Sequence, residues 1–482
     1  MLLEEAMRTL AIFAFLTATL ALTGLRSSAV PVERPSTLAD QRQVNVTIYN
    51  SDLALVHDRR RVALERGENR IAWRDVSANL DGTSSLLESI SAPGGVSLLE
   101  QNFDFDLLRP SALLAKAVGS TVLVIHNHPL AGQPAEERAK LLSTNEGLIL
   151  QYADRIETEL YDSRIVYTSL PPNLRDRPTL VLDLDSASAG SQDLDLSYLT
   201  SGLGWHAEYV GQVSANDDLL DLNGKVTLTN TSGTSYQNAR LQLVAGNVNA
   251  PPPPQMAFRA MAEMSAAAPP QRVTQENYFE YHLYTLNRPT TIAENQTKQV
   301  AFLTAHNVPI RKTLELRGGA SYYRMNTPDL GAKLPVSVYI SFDDKGGDLG
   351  IPLPGGLVRL YKSDAHGTSQ FLGADRIDHT PKNETVRLHV GNSFDVTGRK
   401  KQTNYHIVNE DQSIYDTAYE IKLSNAKDAA VDVLVVEPIP GEWQMLSESQ
   451  PHEKSSSSTA SWTVHIPADG STTLRYSVRV RF

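Results

Sequence analysis

Hydrophobic and polar residues alternate with period two through most of this chain. Leu194, Leu196 and Tyr198 interleave with Asp193, Asp195 and Ser197; Val226 and Leu228 interleave with Lys225, Thr227 and Thr229; Leu241 and Leu243 interleave with Arg240 and Gln242. Side chains on a strand point to opposite faces in turn, so each segment presents one dry and one wet face. Gly, Asn, Ser and Asp clusters separate the segments, which predicts antiparallel sheets packed as sandwiches. The same pattern holds at Val44, Val46 and Ile48 and at Val336, Val338 and Ile340. Gly67-Glu68-Asn69 stands between Val62/Leu64 and Ile71/Trp73 and predicts a hairpin turn. Trp205 and Trp443, each beside a strand end, are predicted to plug cores.

The predicted fold class is therefore all-β, with tandem sandwich or small-barrel domains and one short helix near residues 111–118. Arg109-Pro110-Ser111 leads into that helix; Ser111 is its expected cap and Gly119 its left-handed terminator. The pattern divides into a signal peptide at 1–29, an N-terminal β-domain at 30–105 and a barrel-like domain at 106–178. A core β-block at 179–400 and an immunoglobulin-like sandwich at 401–482 follow. Residues 249–273 interrupt the core block with four consecutive prolines, which cannot donate ladder hydrogen bonds, and are expected to form a surface insertion.

Composition narrows the function classes. The 482 residues carry a net charge of −11, which disfavours nucleic acid and anionic membrane surfaces as partners. An apolar run over residues 10–25 precedes Ser27-Ser28-Ala29, the pattern of a secretory signal peptide. Glu4 and Glu5 do not suit a basic leader, and a start at Met7 would remove them. With no cysteine, an exported chain rests on its cores rather than on disulfides, and thiolate metal sites and cysteine nucleophiles are excluded. A soluble periplasmic or secreted protein is expected, without stable membrane insertion once the leader is cleaved.

Candidate chemistry is sparse, and the sequence assigns no catalytic, cofactor-binding or metal residue. His126 and His128 share a strand face, half of a metal site with no third ligand at a useful spacing. Gly202-Leu203-Gly204-Trp205-His206-Ala207 has the letters of a dinucleotide fingerprint, but a predicted strand follows where a helix is required. Asp183/Asp185, Asp193/Asp195 and Asp343/Asp344 are the pairs a glycosidase could use, yet they sit on wet faces and in turns. The turn Asp343-Asp344-Lys345-Gly346-Gly347-Asp348 is oxygen-rich but lacks the spacing of a calcium loop. Met256, Met261 and Met264 offer soft donors for Cu(I), or adaptable contacts for a partner.

The stretches SYLTSGLGWHAEY and GKVTLTNTSGTSYQNARLQLVAG, with TTIAENQTKQVAFL at 290–303, resemble the bacterial family catalogued as domain of unknown function 4139. That family includes the mucoidy-inhibitor-like proteins, and this chain resembles a compact variant without their coiled coil. The resemblance implies an exported β-protein and transfers no catalytic residue. A structural or binding module of the cell envelope is expected, its partner an envelope protein or glycan. The rival is a hydrolase acting on envelope glycans. A third reading comes from the terminal strand, where Leu474, Tyr476, Val478, Val480 and Phe482 alternate with polar residues as in an outer-membrane barrel.

Overall fold

The computed structural model describes residues 31–482 apart from Ser51, Phe105, 127–134, Glu146, 171–173, Asn247, 250–272, 328–329 and 331–332. The expected signal peptide, His128, Met256, Met261, Met264 and nearly all of the 249–273 insertion lie outside the described residues. Strands make up 65% of the structure, so the chain is all-β, with one α-helix among the described residues, Pro110–Lys116. Two compact units form: Met1–Arg42, Arg59–Val76 and Leu86–Leu196 make the first, and Gln43–Asp58, Ser77–Ser85 and Ser197–Phe482 the second.

In the first unit, a four-stranded sheet runs in the order Glu33–Ser36, Gly67–Arg74, Thr179–Ser186, Val96–Asp104. Leu180, Leu182 and Leu184 on the third strand are fully buried, as is Trp73 on the second. The guanidinium of Arg60 stacks 4.7 Å from the Trp73 ring centroid and donates to Ser36 O and Arg74 O at 2.8 and 2.7 Å. A second sheet of five strands runs from Ile156–Glu157 through Ile149–Gln151, Ala135–Ser143 and Thr121–His126 to Ser163–Val166. It packs on Leu114 and Ala117 at the helix. It stays open where a barrel-like unit was expected, because end strands of two and four residues offer too few ladder bonds to close a wall.

Two local expectations are corrected here. Arg109, not Ser111, is the N-cap, and it makes no side-chain cap bond. Proline at the first helical position presets the dihedral, and the helix starts two residues earlier than a Ser111 cap would allow. At Gly67-Glu68-Asn69 the chain makes a corner instead of a hairpin, since Leu53–Leu64 and Gly67–Arg74 join different sheets. The Asn69 side chain substitutes for the missing ladder. It accepts from Glu65 N at 2.8 Å and donates to Glu65 O and Gly67 O at 2.8 and 2.7 Å.

The second unit holds two large sheets. One runs Gln296–Pro309, Leu219–Asn230, Leu203–Val213, Gly356–Ser363, Ser369–Ile377. The other has nine strands in the order Glu442–Glu448, Ser471–Arg481, Ile414–Asn425, Thr385–Asn409, Leu334–Asp343, Arg311–Arg317, Val431–Pro438, Thr459–Ile466, Glu453–Ser456. This sheet folds over on itself: Trp462 and Tyr476 lie on strands far apart in that order, yet their rings stack 4.9 Å apart. One hydrophobic core fills the fold, with Val433, Val435, Trp462, Leu474 and Val478 among its members. Leu474, Tyr476, Val478 and Val480 all point inward as their alternation predicts, while Phe482 is 39% exposed. Every sheet retains two ends, so none closes into a barrel. Trp205 is buried as expected. Trp443 is half-buried at an edge strand, its indole N–H donating to Ser457 O at 2.8 Å, and Trp462 takes the central place instead.

Candidate functional site

Two places in the second unit gather polar side chains that the strand pattern alone does not require. The first is a surface cleft. Pro352 in its wall accepts from the hydroxyl of buried Tyr284, and Pro354, two residues on, from that of buried Tyr209, each at 2.8 Å. Burial, and then the charge of Asp344, pushes the Tyr284 phenol up. Asp344 itself is fully buried and accepts from Gly350 N at 2.8 Å, while its Oδ2 has no partner among the described residues. Burial raises its carboxyl above the ordinary range. The cleft has a volume of ≈ 490 Å³ and is bordered by Gln275, Glu276, His282, Pro352, Lys382 and Asn383. His282 meets the Gln275 amide through Nδ1 at 3.1 Å. Burial first, and the neighbouring His379 second, lower its pKa, so it is neutral at pH 7. Two amide residues, a glutamate, a lysine and a histidine thus border one concave surface. Such a set can hydrogen-bond a hydroxyl-rich ligand.

The second place is sealed inside the nine-stranded sheet. Lys400 and Glu437 have no exposed side-chain surface, and Nζ lies 2.6 Å from Oε2. Tyr323 donates to the same oxygen at 2.9 Å, its hydroxyl 2.8 Å from that of Tyr476, which is 3.1 Å from Lys400 Nζ. The rings of Tyr419 and Tyr322 stand 4.4 and 4.8 Å from the ammonium. Desolvation drives the lysine pKa down, against the pull of Glu437. Burial drives the Tyr323 and Tyr476 phenols up, with Glu437 adding to it. A 3-10 turn, Ala320–Arg324, lids the cluster: Tyr419 donates to Tyr322 O at 2.8 Å, and Gln402 reaches Met325 O at 3.2 Å and Thr417 Oγ1 at 2.9 Å. Gly318 packs its backbone against the Glu437 carboxyl, where any Cβ would collide.

Among the described residues, those singled out from sequence do not assemble into a site. His126 bonds Ser163 Oγ at 2.8 Å and lies 3.8 Å from Glu137; among the described residues no group of three or more His, Asp or Glu is arranged for a metal ion. Gly202 and Gly204 flank the start of the strand Leu203–Val213, and Gly202, at φ 84°, lets the chain pass the Ser232 backbone, where a Cβ would stand 2.8 Å away. Four of the six carboxylates are held by arginines, Asp183 by Arg70 at 2.9 Å, Asp193 by Arg61 at 2.7 Å, Asp195 by Arg59 at 3.0 Å and Asp343 by Arg311 at 3.1 Å, while Asp185 is exposed and Asp344 is buried on the Gly350 N–H.

Lys400 and Glu437 were missed because charge reads as a wet face. The signal lay in parity. Val396, Gly398, Lys400 and Gln402 share one strand face, and Val433, Val435 and Glu437 share another, continued by Ile439 just past the strand; each is a buried position. Opposite charges at inward positions of two strands mark a buried pair.

No curated protein matches the chain. The sequence matches the family described as domain of unknown function (DUF4139) over residues 194–482, a span that includes the cleft and the sealed cluster. With more than half of its length matched, the chain belongs to the DUF4139 family.

Proposed function

We propose that this protein is an exported component of the bacterial cell envelope that acts as a binding module and takes a glycan in the Gln275–Asn383 cleft. The observation that carries the reading is the cleft lining, in which Gln275, Glu276, His282, Lys382 and Asn383 border a volume of ≈ 490 Å³. Sugar hydroxyls are recognised by such mixed donors and acceptors. Binding is favoured over glycan hydrolysis because Asp183, Asp193, Asp195 and Asp343 are held by arginines, while Asp344 and Glu437 are fully buried, away from any substrate. Export rests on the apolar run at 10–25 and the Ser27-Ser28-Ala29 that follows it.

Isothermal titration with fractionated envelope polysaccharide tests the binding. Parent protein should bind, and a Gln275→Ala/Asn383→Ala variant should bind at least about tenfold more weakly, as loss of two hydrogen bonds to a ligand implies. Equal affinity in the variant, or no binding by the parent, would sink the reading. Terminal sequencing of native protein tests export separately. The expected first residue lies near Val30, and an intact Met1 or Met7 would refute it.

A further inference from the structure

The Lys400 amine and the Glu437 carboxyl are placed for condensation. We infer that they become joined by an intramolecular amide bond, Lys400 Nζ to Glu437 Cδ, which ties the strand Thr385–Asn409 to the strand Val431–Pro438 through the interior of the sheet. This inference is independent of the glycan cleft.

Three features carry it. The first is dryness. Neither side chain has any exposed surface, and Nζ is already 2.6 Å from Oε2. Water drives amide hydrolysis, so its exclusion favours condensation. Low polarity also favours the neutral amine over the ammonium, in keeping with the lowered Lys400 pKa. A neutral amine is a nucleophile.

The second feature is a closed proton circuit. Lys400 Nζ donates to Tyr476 Oη at 3.1 Å, Tyr476 Oη lies 2.8 Å from Tyr323 Oη, and Tyr323 donates to Glu437 Oε2 at 2.9 Å. Transfer of one ammonium proton to Oε2 turns the ion pair into a neutral amine and a carboxylic acid; as Nζ then attacks Cδ, its proton passes to Tyr476, Tyr476 hands one to Tyr323, and Tyr323 delivers one to Oε2. The C–N bond forms, the Cδ–Oε2 bond breaks, and Oε2 leaves with the carboxyl's own proton as water. Amine and acid become amide and one water. Both tyrosines end protonated, and nothing is oxidised or reduced.

The third feature is Glu437 Oε1, buried with no hydrogen-bond partner among the described residues. A carboxylate oxygen left so is costly, and an amide carbonyl in its place is far less so. Gly318 closes that side with backbone alone. In a chain without cysteine, the amide also supplies a covalent cross-link that no disulfide provides.

Mass spectrometry of the purified full chain tests the inference. The protein should be one water lighter than its sequence mass. Trypsin, which does not cut after an acylated lysine, should release Asp428–Lys454 carrying Lys400-Lys401 as a branch, and Lys400→Gln should abolish that branch. Full sequence mass, with residues 400 and 437 recovered only in separate linear peptides, would overturn the inference. A Tyr323→Phe/Tyr476→Phe variant keeps the ring packing and tests the circuit. It should fold by circular dichroism yet be recovered mostly unlinked, and linkage as complete as in the parent would refute the relay.

Discussion

The two units treat the same chemistry, a cation beside a carboxylate, in opposite ways. In the first unit Arg175 bridges Glu33 at 2.6 Å and Asp104 at 2.8 Å, Arg70 holds Asp183, and Arg59 and Arg61 hold Asp195 and Asp193. Those arginines keep 23% to 51% of their side chains in water. In the second unit the Lys400–Glu437 pair has 0% exposure. Water screens the first set, so each pair adds little and its loss leaves a group that solvent can take back. Nothing screens the second, so each partner depends on the other for its existence in the core. The first arrangement covers a sheet face; the second fixes which strands meet.

The largest effect expected from this contrast is at Glu437. Glu437→Ala leaves Lys400 in the core without its carboxylate, and stability should fall by about 3–5 kcal/mol. Urea titration measures it. A loss below about 1 kcal/mol would place Glu437 among the screened pairs. Loss of the charge partner and loss of the proposed amide act here in the same direction, so this measurement tests the burial and the mass measurement tests the bond.

Trp462 gives the apolar counterpart. Its side chain is 1% exposed and stacks on Tyr476. Trp462→Ala should cost about 3–5 kcal/mol. Trp443, half-buried at an edge strand, should cost clearly less on the same change, although its position in the sequence makes it the expected plug. Equal losses at the two sites would mean that the edge is as tightly packed as the centre.

Much of this was legible in the sequence. The alternation at Leu194, Leu196 and Tyr198 puts all three inside, and at Leu474, Tyr476, Val478 and Val480 it does so again. The corner at Gly67 was not legible, because a turn signal fixes a reversal but not the partner strand, and here Asn69 satisfies the backbone that a partner would have paired. The 25-residue strand Thr385–Asn409 was hidden for a related reason. Its buried positions include Lys400 and Gln402, polar residues whose partners, Glu437 and Tyr419, lie on the next two strands and are identified only by the pairing of the fold. Of the candidate cleft, nothing was legible; its walls come from residues 275–282 and 352–383, which only the fold brings together.

Acid should separate the two units. Arg175, mainly by hydrogen bonding and against some burial, lowers the Glu33 carboxyl below 4.5. A depressed carboxylate stabilises above its unfolded value, and that contribution is lost as pH falls through the folded value. His282 is depressed from 6.5, chiefly by burial. The unfolded chain takes up that proton first, so the contribution of His282 is complete above 6.5 and is lost as pH falls from there through its lowered value. Hydrogen exchange between about pH 7.5 and about pH 5 should therefore show the strand Tyr281–Leu286 loosening while Glu33–Ser36 stays protected. His282→Gln should abolish the loosening. Loosening of both strands together would show that the first unit owes less to its ion pairs than their geometry suggests.

The smallest effect belongs to Arg61. It meets Asp193 in two-point geometry, with Nε to Oδ1 at 2.7 Å and Nη2 to Oδ2 at 2.9 Å, and holds the Asp193 carboxyl below its ordinary value. Good geometry is not the deciding term here, because half of the Arg61 side chain stands in water and salt screens the pair. The strand beneath is held independently: Asp193 N donates to Ser91 Oγ at 2.9 Å, and Asp193 O accepts from Ile90 N at 2.8 Å. Arg61→Ala should therefore shift the urea midpoint slightly at low ionic strength and not measurably at high salt. A double-mutant cycle with Asp193→Ala should show coupling that salt erases. Coupling that survives high salt, or a loss approaching that of Glu437→Ala, would mean the face carrying Arg61 is covered in solution, and the contrast between the two units would then be one of partners rather than of burial.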